Sequence, residues 1–363
     1  MTGAARDGSS SGPIFVVGSM RSGSTLLRLI LDSHPNIAIG AETGFMAGLH
    51  AAREIPGWRY GKGWFGRLGW SEIDFDERLR EFYSGLFQRY AQDQGKTRWG
   101  EKTPLHTEHI DEMARVFPDA VFVGIVRHPG AVASSLRKNF HYGFADAVGY
   151  WEQTNTEMVR AGSRLAERFM LCRYEDLVVE PEPVLRAVMN HVGESWSPDL
   201  LQHHRVQREK GASRVAEGST VTRTPIDSSR AAAWARGLDS GEVATLEAVA
   251  DLARFFGYEA LDPEPTTPVP GWSASVATGQ DLAHRVVAVR GRVDFNHRHP
   301  PMPIDTDPTH LSARLHQVEQ ALDRTRSRRA VRLADAVRKV QHGRSPASVK
   351  AAWRLLRGGE HEA

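Results

Sequence analysis

The residues with the clearest chemical meaning form one loop, Gly18-Ser19-Met20-Arg21-Ser22-Gly23-Ser24-Thr25. It follows a short apolar run, Pro13 to Gly18, and opens a segment where Leu26, Leu27, Ile30 and Leu31 recur at helical spacing. A loop that joins a buried strand to a helix N-terminus offers free backbone N–H groups at the positive end of the helix dipole. That is an anion site. Glycine allows close backbone approach, and the hydroxyls of Ser22, Ser24 and Thr25, with the Arg21 guanidinium, add donors.

A second cluster follows another apolar run. Ala120 to Val126 leads into Arg127-His128-Pro129-Gly130, and Ser135 lies eight residues beyond Arg127. An arginine at the C-terminal end of a parallel strand stands where α/β sheets bind ligands. Ser135 falls in the second turn of the next helix, so a guanidinium and a hydroxyl can converge on one phosphate.

The elements that must position these groups alternate. Strand-like runs at 13–18, 120–126 and Phe169 to Tyr174 are interleaved with helical patterns after Ser22, Pro129 and Pro181. This predicts a P-loop-like α/β fold, a parallel sheet with helices on both faces. Thr103-Pro104 reads as an N-cap with proline at the first helical position, and Asp239-Ser240-Gly241-Glu242 reads as a capping box. Ile55 to Trp70, rich in Gly, Trp and Tyr, reads as an irregular surface excursion, and Val286 to Phe295 as one more strand. Trp58, Tyr60, Trp64, Phe65 and Trp70 could line an acceptor pocket or form a small satellite core.

Composition sets the outer limits. The chain has 363 residues, 40% hydrophobic and 25% charged, which is ordinary for a globular protein. No run approaches the ~18 apolar residues of a membrane span, and the small, polar first twelve residues read as disordered and not as a secretion signal. The single cysteine, Cys172, excludes an internal disulfide and predicts a cytoplasmic setting. The predicted divisions are a disordered 1–12, a catalytic domain at 13–260, a proline-bearing linker or extension at 261–309, and a helical tail at 310–363. That tail holds twelve Lys/Arg against five Asp/Glu. Leu311, Leu315, Val318 and Leu322 form an apolar stripe along it, suited to homodimerisation, docking or peripheral membrane contact.

Arg21-Ser22-Gly23-Ser24-Thr25-Leu26-Leu27, continuing to Leu31-Asp32-Ser33-His34-Pro35, resembles the 5′-phosphosulfate loop of sulfotransferases, above all the bacterial group and the tyrosylprotein enzymes. Arg127 and Ser135 are similar to the arginine and serine that bind the donor's 3′-phosphate in that family. Trp99-Gly100-Glu101-Lys102-Thr103-Pro104, Arg173-Tyr174-Glu175-Asp176-Leu177, and Ser229-Arg230 with Trp234 resemble further blocks, so the likeness runs from Pro13 to Tyr258. In the last block Ala233 precedes Trp234, where the commoner form has arginine.

The resemblance implies a donor, 3′-phosphoadenosine 5′-phosphosulfate, held by Arg21, Ser22, Gly23, Ser24, Thr25, Arg127, Ser135 and Arg230, with no metal required. It implies Glu42 as the base that takes the acceptor's proton, Lys102 beside the leaving phosphate and Arg21 as a clamp. His34 and His106 are the alternative bases. The expected acceptor is a hydroxyl of a carbohydrate, a lipid-linked sugar, a phenol or another secondary metabolite, and no nucleic-acid partner is expected. The rival reading is a P-loop-type small-molecule kinase. Against it, Ser24 stands where the P-loop needs lysine, and no aspartate ends Val121 to Val126 to hold Mg²⁺. His297 and His299 could suggest a metal, but no carboxylate or cysteine pattern accompanies them.

Overall fold

The computed structural model describes residues 12–54, 57, 59–210, 224–231, 234, 238–259, 262, 276–289 and 292–295. The tail at 310–363, the first eleven residues, Trp58, His297, His299 and nearly all of the proline-rich linker lie outside the described residues.

Six strands form one sheet in the order β2-β3-β1-β4-β5-β6. They are β1 (Ile14–Val17), β2 (Ile37–Ile39), β3 (Arg98–Lys102), β4 (Val121–Val126), β5 (Phe169–Arg173) and β6 (Val276–Thr278). All pairings are parallel except β5 with β6, which is antiparallel. The two apolar runs flanking the anion loop and Arg127 are therefore neighbours, with Val17 opposite Gly124.

Alternation along β1 distributes the core. Ile14 and Val16 join Val123, Ile125, Met170 and Cys172 on one face, covered by α1 (Ser24–Asp32) and α9 (Pro181–Val192) through Leu27, Ile30, Leu185 and Val188. Phe15 points the other way, packing its ring on Trp99, Phe117 and Phe122 at centroid distances of 5.8, 5.5 and 5.3 Å. That face lies under α4 (Glu72–Asp93), α5 (Ile110–Val116) and α7 (Phe144–Leu165). Both faces are covered by helices, as a parallel sheet requires. Cys172 is wholly buried and its thiol is pushed up to about 12 by that burial, so it is a packing residue. No helix among the described residues is long and apolar enough to cross a membrane.

Three local expectations are corrected. Within Ile55–Trp70, Arg59–Leu68 forms a helix, α3. Its three glycines weaken helix propensity, but Phe65 anchors it edge-on against Trp70 and Phe75 at 6.1 and 4.9 Å. Residues 286–288 belong to a helix, α13 (Gly279–Ala288), and the strand lies earlier, at β6. A capping box between Thr278 and Asp281 starts that helix and overrides the β-branched residues further on. Thr103 makes no capping bond; Pro104–His109 is a 3₁₀ turn, and α5 begins only at Ile110. The capping box at Asp239 forms as read and opens α11 (Ser240–Ala248).

The β6–α13 unit seats on the end of α7. A methyl group at Gly279 would stand 2.4 Å from the Gly162 carbonyl oxygen and 2.6 Å from that of Ala166. Backbone cannot yield as a side chain would. Gly279→Ala is expected to lower unfolding stability by about 1–3 kcal/mol, read as a drop in denaturant midpoint at unchanged m-value. An unchanged midpoint would show that α13 does not pack there.

Candidate active site

The connection after β1 runs toward β2 and that after β4 toward β5, on opposite sides of the sheet. The crevice at the C-terminal ends of β1 and β4 is thus a topological switch point. Both predicted clusters open into it, and Lys102 closes β3 immediately beside β1.

The loop after β1 is held from outside. Thr107 on the 3₁₀ turn accepts from Gly18 N–H at 2.8 Å and donates to Gly18 O at 3.2 Å, while Tyr150 on α7 accepts from Met20 N–H at 2.9 Å. Gly23 caps α1 with φ of 102°, and a methyl there would meet the Tyr174 ring at 2.3 Å. Arg21 adopts a left-handed φ of 66°. The hydroxyls of Ser19 and Ser22 are buried and have no hydrogen-bond partner among the described residues. A buried hydroxyl without a partner is costly unless something supplies one. A phosphate-type anion in the loop would do so.

The second cluster meets the first. Arg21 Nε donates to Ser135 Oγ at 2.9 Å, and Arg127 donates to the carbonyl of Arg21 at 3.3 Å. Arg127 also lies over the Tyr174 ring, 4.3 Å from its centroid. Burial, and then the Arg127 charge, lower the Arg21 guanidinium from its ordinary value. Two like charges held together in this way favour an anion between them. Ser135 sits on α6 (Pro129–Phe140), whose start is fixed by His128. That ring accepts from Gly130 N–H at 3.0 Å, donates to Glu259 O at 2.8 Å and stacks on Trp234 at 4.0 Å; burial pushes it down to about 4, so it is neutral. Gly130 makes room, since a methyl there would meet the Trp234 ring at 2.2 Å. Arg230 ends a 3₁₀ turn, Ser228–Arg230, and its side chain lies outside the described residues.

Lys102 and Glu42 do meet. The Lys102 ammonium, fully buried, donates to Thr25 Oγ1 at 3.0 Å and to Glu42 Oε1, whereas the Glu42 side chain is 43% exposed. The backbone beside Glu42 is fixed by Glu101. Its carboxylate accepts from Thr43 and Thr103 hydroxyls at 3.1 and 2.7 Å, and Thr103 Oγ1 accepts from the N–H groups of Thr43 and Gly44, each at 3.3 Å. His106 Nδ1 lies 2.6 Å from the same carboxylate, and the ring is buried. His34 is elsewhere: it accepts from Asn36 N–H and donates to Ser195 O, closing the turn after α1. The sequence reading did not single out Thr107, Tyr150 and Ser19 as site residues. Thr107 and Tyr150 act through contacts 89 and 130 residues away.

Comparison with known proteins gives the chain's relatives. The family model described as "Sulfotransferase family" matches residues 13–198, just over half of the chain. Protein-tyrosine sulfotransferase 1 of Danio rerio is 24% identical over 259 residues, covering 68% of this chain and 72% of that protein. Protein-tyrosine sulfotransferase A of Caenorhabditis elegans is 25% identical over 257 residues, covering 68% and 67%. Among solved structures, the sulfotransferase domain of the Synechococcus PCC 7002 olefin synthase is 22% identical with a TM-score of 0.51, covering 71% of this chain and 99% of that one, a likeness of fold.

Arg127 and Ser135 are expected to recognise a phosphate that adenosine 5′-monophosphate lacks. Calorimetry should show Arg127→Ala and Ser135→Ala each losing about 1.5–3 kcal/mol of affinity for 3′,5′-adenosine bisphosphate, roughly tenfold or more. Affinity for the monophosphate should change much less. Equal losses for both ligands would remove the 3′-phosphate assignment.

Proposed function

This chain belongs to the sulfotransferase family, and from that premise we propose that it moves a sulfuryl group from 3′-phosphoadenosine 5′-phosphosulfate to a hydroxyl on an acceptor with an apolar, aromatic body. The observation that carries the reading is the Lys102 ammonium, bonded at once to Thr25 of the anion loop and to Glu42 of the acceptor side.

The donor, when bound, supplies the sulfuryl group and a phosphate leaving group. The residues available to hold it are the loop N–H groups from Gly23 to Thr25, the unpartnered hydroxyls of Ser19 and Ser22, and Arg21 beside them. Arg127 and Ser135, which touch Arg21 at its carbonyl and its Nε, offer a second guanidinium and a hydroxyl, suited to the 3′-phosphate. Transfer of this kind depends on positioning and on stabilising charge more than on covalent chemistry. Lys102 is the group that can both neutralise the leaving oxygen and give it a proton; Arg21, always charged, can only clamp. Glu42 takes the acceptor's hydroxyl proton as the new S–O bond forms. Its exposure lets an acceptor reach it, while the Lys102 bond holds its carboxylate beside the anion loop.

The acceptor side is apolar. Phe45, three residues after Glu42, is 44% exposed and packs on Phe87 at 6.0 Å. The Tyr90 ring lies against Gly40, 3.4 Å from where a side chain would begin, and Leu86 is exposed one turn earlier on α4. Such surface suits an aryl or alkyl hydroxyl better than a bare sugar.

Glu42→Gln is expected to retain affinity for 3′,5′-adenosine bisphosphate and to lower turnover by roughly 10²-fold or more, the usual scale of general-base catalysis. Turnover is measured with labelled donor against paired phenolic and carbohydrate acceptors. Near-normal turnover would transfer the base role to His106. A preference for ATP with Mg²⁺ over the bisphosphate in calorimetry would favour the kinase reading instead.

A further inference from the structure

Away from the donor crevice, three side chains from three elements come together. His50 lies on α2 (Phe45–Glu54), His109 ends the 3₁₀ turn, and Glu112 lies in the first turn of α5. One ligand atom from each falls within 4.8 Å of the other two. His50 Nδ1 stands 3.3 Å from Glu112 Oε1, and the two imidazole rings face each other at 4.3 Å between centroids. His109 and Glu112 are three residues apart at a helix start, so both donors project from one side of it.

The geometry points to a binding site for a divalent cation of the zinc class, with His50, His109 and Glu112 as ligands and solvent completing the coordination. Two neutral imidazoles and a carboxylate form a donor set that zinc accepts, with one position left open. Bonds of about 2.0–2.1 Å bring tetrahedral donors to roughly 3.4 Å from one another, so the side chains must close by about an ångström. They are free to do so: His50 is 41% and Glu112 27% exposed. The His109 ring is in contact with His50 but makes no hydrogen bond to any described residue, so its lone pair is available. The rings need only turn out of their stacked arrangement toward a common point.

Such an ion would tie two segments of the active site together. α2 begins three residues after Glu42, and His109 is two residues after Thr107, the residue that holds Gly18 from both sides. The ion is a clamp between the helix that follows Glu42 and the turn that supports the anion loop, and it takes no part in the transfer itself.

The test titrates full-length protein, stripped of metal with chelator, with Zn²⁺ by calorimetry, and with Co²⁺ while visible absorption is recorded. Wild type should gain one site that His109→Ala lacks. Glu112→Gln should weaken the same site by tenfold or more, and the Co²⁺ complex should show ligand-field bands of a low-coordinate nitrogen–oxygen set. Melting temperature should rise with Zn²⁺ in wild type and not in His109→Ala. His50→Ala, at a more exposed position, provides a second variant should His109→Ala fold poorly. Equal Zn²⁺ stoichiometry and affinity in wild type, His50→Ala and Glu112→Gln would overturn the assignment, because metal bound to other histidines is indifferent to these changes. The readout does not depend on the donor, so the sulfuryl-transfer reading stands or falls separately.

Discussion

A lysine ammonium withdrawn completely from water is tolerable only where its donors find oxygen and its charge finds a partner. Lys102 meets both conditions at the end of β3, with Thr25 on one side and Glu42 on the other. Much of the architecture serves that position. β3 is bonded between β2 and β1, so Lys102 is level with Val16 and cannot slip relative to the loop that follows β1. Thr25 is delivered by the first turn of α1, and Glu42 by the chain emerging from β2. Were β3 an edge strand, the ammonium would reach solvent and lose its reason to bridge the two.

The opposite problem, like charges brought close, organises the other half of the crevice. Arg127 donates to the backbone of Arg21, and its charge helps lower the Arg21 guanidinium. Tyr174 offers Arg127 a ring face, and Ser135 offers Arg21 an oxygen. These contacts are neutral, so they orient the guanidiniums without cancelling their charge. Burying neutral His128 beside them, stacked on Trp234, anchors the start of α6 without adding a further cation.

The parts legible in the sequence are those written in local pattern. The loop after β1 announced itself because its strand is continuously apolar and its helix periodic, and Arg127 with Ser135 because each follows a strand or a proline-started helix. β3 escaped notice as a strand because its residues, Arg98-Trp99-Gly100-Glu101-Lys102, are mostly polar although all are buried. Their burial depends on partners distant in sequence: Arg98 on Gly12 and Val192 carbonyls, Glu101 on Thr43 and His106. The same holds for Thr107 and Tyr150, whose meaning is a contact with the loop and not a spacing. His50, His109 and Glu112 are likewise joined by the packing of α2 on the turn, which no short motif encodes.

Three carboxylates near the crevice differ in how open they are to an incoming hydroxyl. Glu175 is fully buried and drawn up by burial, and its oxygens are taken by His128 N–H at 3.1 Å and the Tyr258 hydroxyl at 2.6 Å. Glu101 is equally enclosed, with two hydroxyls and an imidazole already on it. Both are buried and hold neighbouring groups in place, and no acceptor can reach them. Glu42 has one oxygen on Lys102, and its second oxygen makes no hydrogen bond to any described residue. A base must combine an available lone pair with access for the acceptor. In the proposed reading Glu42 has both, through its second oxygen and its exposure, and the Lys102 ammonium holds it in place.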